Sequence, residues 1–190
     1  MLCRSYADLY PLMLRDLPSC ERPDALLALQ LAGREFCNRT EVWKATLDPV
    51  DIVADTLVYT LVWGEDAFIK KVTKLTYDGF ELNGSLYTFS PPSTIEFVDF
   101  TPTQSIAGGL VVDAIFVPSL TTNEIADFVF ERWAEAFVAK AVSSLALMPG
   151  KPWSNPALGG LSLSRYNEKV AEAMASESSG YKSGGSGLEA

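Results

Sequence analysis

The hydrophobic pattern of this chain changes period twice, from helical to strand-like near residue 50 and back to helical near residue 121. That double switch restricts the fold more than any single motif does. Before the first switch, Pro23 suits a first helical residue, and Leu26, Leu29, Gly33 and Phe36 follow at helical spacing toward Asn38. Ahead of it, Ser5 is placed to cap a short helix running toward Asp16, with Pro11 as a kink or a late start and Pro18 as its end. Residues 42–49 read as a linker carrying Trp43. Between the switches, Leu57, Tyr59, Leu61 and Trp63 alternate with smaller or polar neighbours. The β-rich run 68–77 then stops at Asp78-Gly79, a strong hairpin signal. Residues 80–82, 86–89, 95–100 and 110–117 supply further short strands, so the middle is expected to be a small antiparallel sheet or sandwich.

After the second switch, Thr121 and Glu124 have capping-box spacing, Asn123 is a competing cap, and the helical period runs to about Leu147. Ala126, Phe130, Trp133, Phe137, Ala141, Leu145 and Met148 form one stripe, while Ile125, Phe128, Val129, Ala136 and Ala139 widen it, as in a helix buried on two sides. The remaining strip is acidic: Glu124, Asp127, Glu131 and Glu135 are spaced by three and four and share one helical face. At 148–156 the chain meets three prolines in eight positions, Pro149, Pro152 and Pro156, with Trp153 between them. Proline fixes its own φ and drives the preceding residue from the α region, so this stretch is a stiff corner holding two helices at a set angle. A last helix begins near Pro156 or Leu161 and ends near Ser176, with Leu163, Tyr166, Val170 and Ala173 or Met174 on its apolar side. Beyond it, five glycines or serines from Ser183 to Gly187 leave only Tyr181 and Leu188 as large apolar groups, which implies a flexible tail.

The chain has 190 residues, enough for one continuous core. The expected fold class is α+β: a helical bundle built from an N-terminal part (1–48) and a C-terminal part (121–177), a central antiparallel β-sheet or sandwich insert (49–120), and the tail (178–190). A net charge of −9 argues against a surface that grips nucleic-acid phosphates. The complete absence of histidine removes the commonest general base and metal ligand, and with it imidazole-dependent serine triads and two-His zinc sites. Cys3, Cys20 and Cys37 show no C-x-x-C spacing and read as small buried hydrophobes in a reducing compartment. Asp48, Asp51 and Asp55 lack the glycine turn and closing glutamate of an EF-hand loop, and Gly150-Lys151 is followed by Pro152, not by the Ser/Thr of a phosphate loop. Lys70, Lys71 and Lys74 form a small basic cluster suited to a solvated sheet face or an acidic neighbour. No catalytic residues, cofactor or metal are expected, nor any membrane span.

Three segments carry a resemblance. They are Tyr10-Pro11-Leu12-Met13-Leu14 through Arg34-Glu35-Phe36-Cys37-Asn38-Arg39-Thr40-Glu41-Val42-Trp43, the β insert, and 148–156 through Tyr166-Asn167. In this order they resemble the head-tail connector, or adaptor, proteins of tailed bacteriophages, which join beneath the portal ring after DNA packaging. The resemblance implies a structural, non-enzymatic virion protein of the neck, made in the host cytoplasm. It also implies a homo-oligomeric ring, usually of twelve copies, which binds the portal protein above and a downstream neck or tail protein below. Glu124, Asp127, Glu131 and Glu135 would then line either the DNA channel, repelling passing DNA without sequence-specific binding, or the outside of the ring. Tyr181, Lys182 and Leu188 would dock the tail on the portal. Pro149, Pro152, Trp153 and Pro156 form the structural corner. Two other classes remain: a tail-completion or tail-terminator protein, whose chain should be mostly β, and a small intracellular enzyme, for which the residues offer no nucleophile, base or phosphate loop.

Overall fold

The computed structural model describes residues 2–64 and 66–179, without the side chains of 177–179; the expected docking residues Tyr181, Lys182 and Leu188 lie outside the described residues. The fold is mixed α+β, with four α-helices and three antiparallel sheets among the described residues. It begins with a short strand, β1 (Cys3–Ser5), and a 3-10 turn (Tyr6–Leu9) in which Ser5 Oγ accepts from the Ala7 amide at 3.2 Å. Pro11 stands in the first turn of α1 (Tyr10–Asp16), so it marks a late start, not a kink. Helix α2 (Arg22–Thr40) places Pro23 in its first turn and buries Ala25, Leu29, Ala32, Gly33, Phe36 and Cys37. It ends where Glu41 takes a left-handed conformation (φ 57°).

The middle contains β2 (Lys44–Thr46), β3 (Val50–Ile52), β4 (Val58–Thr60), β5 (Ala67–Tyr77), β6 (Phe80–Glu81), β7 (Tyr87–Ser90), β8 (Thr94–Phe97) and β9 (Ile106–Pro118). Strand β9 is the spine of one sheet: β5 pairs along one edge of it, β2 and β3 along the other, and β6 adds to β5 through the hairpin. The turn residues Asp78 (φ 48°) and Gly79 (φ 80°) are both left-handed, as a two-residue hairpin of matching twist requires. Strands β4, β8 and β7 form a second sheet. Phe97 of this sheet, with Tyr59 beside it at 5.3 Å, meets Tyr77 of β5 at 6.4 Å and the loop residue Phe100 at 5.3 Å, which joins the two sheets through aromatic edges. The expected linker 42–49 holds β2, and β3 was not foreseen. A three-residue strand has too few positions to show a period, and both exist because the long edge of β9 offers unpaired amides and carbonyls.

The expected helix start at Thr121 is corrected. Residues 124–126 form a strand, β10 (Glu124–Ala126), paired antiparallel with β1 in the register Arg4↔Ile125. Thr122 Oγ1 accepts from the Glu124 amide (3.1 Å), so its hydroxyl shapes the entry to a strand and not a helix cap. Helix α3 (Asp127–Ala146) follows, its Ala126 cap lacking a side-chain hydrogen bond, while the Asp127 amide donates to the Leu2 carbonyl (2.9 Å). The N-terminal strand therefore takes up donor capacity at the helix end. α3 packs against both α1 and α2.

After α3, the corner folds back into α4 (Pro156–Ser179), which starts at Pro156, the earlier of the two expected positions, and packs along α3 and α2. Of the corner's side chains only Trp153 is buried; Met148, expected in the core stripe, is 41% exposed because it lies past the end of α3. On α4, Tyr166, Val170 and Ala173 face inward with Ser162, whereas Leu163 and Met174 face outward. Phe36, Trp133, Phe137 and Tyr166 meet where α2, α3 and α4 converge, with centroids 5.3–6.2 Å apart. Among the described residues no helix is long and apolar enough to cross a membrane.

Candidate functional site

The acidic strip is assembled differently from the spacing expectation. Glu124 belongs to β10, so its three-residue separation from Asp127 does not put the two on one helical face; only Asp127, Glu131 and Glu135 lie on α3. Arg4 of β1 bridges two of these, with Nε 2.8 Å from Asp127 Oδ1 and Nη2 2.6 Å from Glu131 Oε1, and its guanidinium lies 5.4 Å from the Phe130 ring centroid. Lys169 of α4 reaches Glu135 at 3.7 Å and Glu172 at 3.1 Å. Each pair is partly solvated and each contributes little by itself. Together they tie the N-terminal strand and the last helix to α3. What the strip shows to solvent is thus half-neutralised, with Glu135 its most exposed member at 85%.

A second polar cluster joins three helices, and the sequence offered only the i,i+4 pair Glu35 and Arg39 as a hint of it. Glu35 of α2 receives Lys140 of α3 (2.9 Å), Arg39 (3.7 Å) and the hydroxyl of Tyr166 on α4, which donates to Oε1 at 3.3 Å. Arg39 and Lys140 also stand 5.5 and 5.2 Å from the Tyr166 ring. Burial, and then the Glu35 carboxylate, pushes the Tyr166 phenol up to about 12.

The corner is fastened at both ends. The Asn155 amide donates to the Ala146 carbonyl (2.8 Å), and Asn155 Oδ1 accepts from the Leu158 amide (3.1 Å) as the cap of α4. Lys151 lies 3.7 Å from Asp24 of α2 and 5.0 Å above the Trp153 ring, so the corner also touches the start of α2. Pro149, Pro152 and Pro156 are exposed, and their effect is on backbone angle alone.

The lysine cluster divides between acidic partners within the chain: Lys70 pairs with Glu41 (2.9 Å) and donates to the Asn38 carbonyl (2.6 Å), while Lys74 lies 3.6 Å from Glu81. Asp51 accepts from the Gly108 amide (2.6 Å), a structural hydrogen bond. Among the described residues, one group has metal-ligand atoms close together: Cys3, Asp66 and Glu124, all within 4.8 Å. Burial, then Asp66 and Glu124, pushes the Cys3 thiol up. Cys37 is fully buried and its thiol is pushed up by that burial; at Cys20, burial, Asp24 and Glu21 act in the same direction. None of the three cysteines is in a disulfide among the described residues.

No protein-family model matches the chain, and no curated protein matches it.

Proposed function

We propose that this chain is a structural head-tail adaptor of a tailed bacteriophage, one subunit of a ring beneath the portal that extends the DNA channel and receives the next neck or tail protein. One observation supports the reading above the rest: helices from opposite ends of the chain, α1 and α2 on one side and α4 on the other, pack on α3, with the antiparallel β residues inserted between α2 and α3. On this reading the four helices act as one bundle that forms the ring body, and the β insert projects toward the neighbouring component. The corner at Pro149, Pro152, Trp153 and Pro156 holds α4 at a fixed angle to α3, as a part fitting other rigid parts requires. Tyr181, Lys182 and Leu188 supply the portal-docking contacts in this reading.

The acidic face of α3 is assigned to the channel in this proposal. Glu131, bridged by Arg4, and Glu135, reached by Lys169 at 3.7 Å, are its outermost carboxylates, at 58% and 85% exposure. A sparse negative lining repels phosphate without binding it. The test is immunogold electron microscopy with an antibody to this chain on tailed particles opened at the neck. Label at the head-tail junction is the expected result. Label confined to the tail tip or tube favours a tail-completion protein, and particles with intact exposed necks that take no label refute the adaptor reading.

A further inference from the structure

Asn83, Gly84 and Ser85 are exposed in the turn between β6 and β7, where the chain passes from the first sheet to the second. The turn is closed by its own groups. The Leu86 amide donates to the Asn83 carbonyl (2.9 Å), and the Ser85 amide donates to Asn83 Oδ1 (3.2 Å). The second bond folds the Asn83 carboxamide along the intervening Gly84 peptide, and its donor draws electron density from Cγ. The Gly84 amide itself donates no hydrogen bond among the described residues, so its nitrogen is not held away from that carbon. Glycine also leaves the approach clear, since it carries no Cβ and is free in φ and ψ.

The other asparagines of the chain lack this arrangement. Asn38 and Asn167 are followed by Arg39 and Glu168 inside α2 and α4, where the helix takes up the following amide. Asn123 is followed by the Glu124 amide, which donates to Thr122 Oγ1 (3.1 Å). Asn155 precedes Pro156, which has no N–H to lose.

We propose that Asn83 is a site of spontaneous covalent modification, deamidation through a cyclic imide formed with the Gly84 nitrogen. That nitrogen gives up its proton to base and attacks Asn83 Cγ; the new C–N bond forms, the Cγ–Nδ2 bond breaks, and Nδ2 takes a proton and leaves as ammonia. Water then opens the imide at either carbonyl, giving aspartate or, when the chain stays joined through Cγ, isoaspartate. Asparagine and water become a carboxylate and ammonium, with no change of oxidation state. Both products add a negative charge at the turn. Isoaspartate also lengthens the main chain by a methylene and turns the carbonyl that accepted from Leu86 into a side carboxylate, which loosens the connection between the two sheets.

The test incubates the full-length chain in mildly alkaline buffer and follows its peptides by mass spectrometry, in which each conversion adds about 1 Da and fragmentation separates aspartate from isoaspartate. Asn83 is expected to convert before the other asparagines, with isoaspartate among the products, faster as pH rises, and no slower than in a free peptide spanning residues 81–87. Gly84→Ala is expected to slow the conversion about tenfold, because the methyl group crowds the attack on Cγ. The same substitution should leave thermal unfolding in place, since a Cβ at Gly84 meets nothing within 4 Å. Earlier conversion of another asparagine, aspartate as the sole product, an undiminished rate in Gly84→Ala, or slower conversion in the folded chain than in the free peptide would each overturn the proposal. The measurement is made on the isolated chain, so its outcome is independent of where the protein resides in a particle.

Discussion

Gly33→Ala is expected to destabilise this protein even though alanine is the better helix former. Gly33 lies inside α2, and a Cβ there would stand 2.7 Å from Cε1 and 2.8 Å from Cζ of Tyr6, with the hydroxyl also in contact. The Tyr6 ring cannot swing aside, because it is 1% exposed and its other side meets Phe137 edge-on at 6.2 Å. Overpacking a tight core costs about 1–3 kcal/mol, and a rigid ring on the 3-10 turn places this case near the upper end. Replacing a mid-helix glycine by alanine returns about 1 kcal/mol. The net is a loss of about 2 kcal/mol, or a fall in Tm of about 4–8 °C for a domain of this size. Thermal unfolding followed by circular dichroism measures it. A double-mutant cycle isolates the cause: in a Tyr6→Leu background the clash is gone and Gly33→Ala should stabilise by up to about 1 kcal/mol. A stabilising Gly33→Ala in the otherwise unaltered chain would refute the packing of the 3-10 turn on α2.

Two further outcomes follow from the polar joints. Tyr166 keeps its proton in the folded state up to about 12, against 10 for an ordinary phenol, so its contribution to stability is complete below pH 10 and is lost as pH rises from 10 through 12; chemical denaturation at stepped pH should show Tyr166→Phe flattening this alkaline decline. Arg4→Ala removes the bridge to Asp127 and Glu131; global stability should change by less than about 1 kcal/mol because the pairs are partly solvated, while hydrogen exchange at the Arg4 and Ile125 amides speeds up markedly. An unchanged exchange rate there would mean that β1 is held by its backbone pairing alone.

The elements legible in the sequence are those set by local chemistry. Pro23 and Pro156 mark helix starts, and Asp78-Gly79 marks the hairpin, because each acts on its own φ and ψ whatever surrounds it. The β1–β10 pair was not legible for the opposite reason. Residues 124–126 continue the apolar pattern of α3, and only the arrival of Cys3–Ser5, over a hundred positions earlier, makes them a strand. Local preference was overridden by a partner with no signature of its own. The acidic strip failed with it, since Glu124 was counted on a helix that begins at Asp127. The tie among Glu35, Lys140 and Tyr166 needs three helices to be in place before its members are neighbours.

The same pairing explains why the start of α3 matters more than its composition suggests. β1 brings Arg4 to the first turn, where Asp127 lies, and a carboxylate there favours the positive end of the helix dipole whether or not Arg4 is bound. Arg4 is therefore not needed to neutralise Asp127; its distinctive contact is with Glu131, one turn further on, at 2.6 Å. By spanning both carboxylates it fixes the face of α3 adjacent to Phe130 and so holds β1 against the first two turns of that helix.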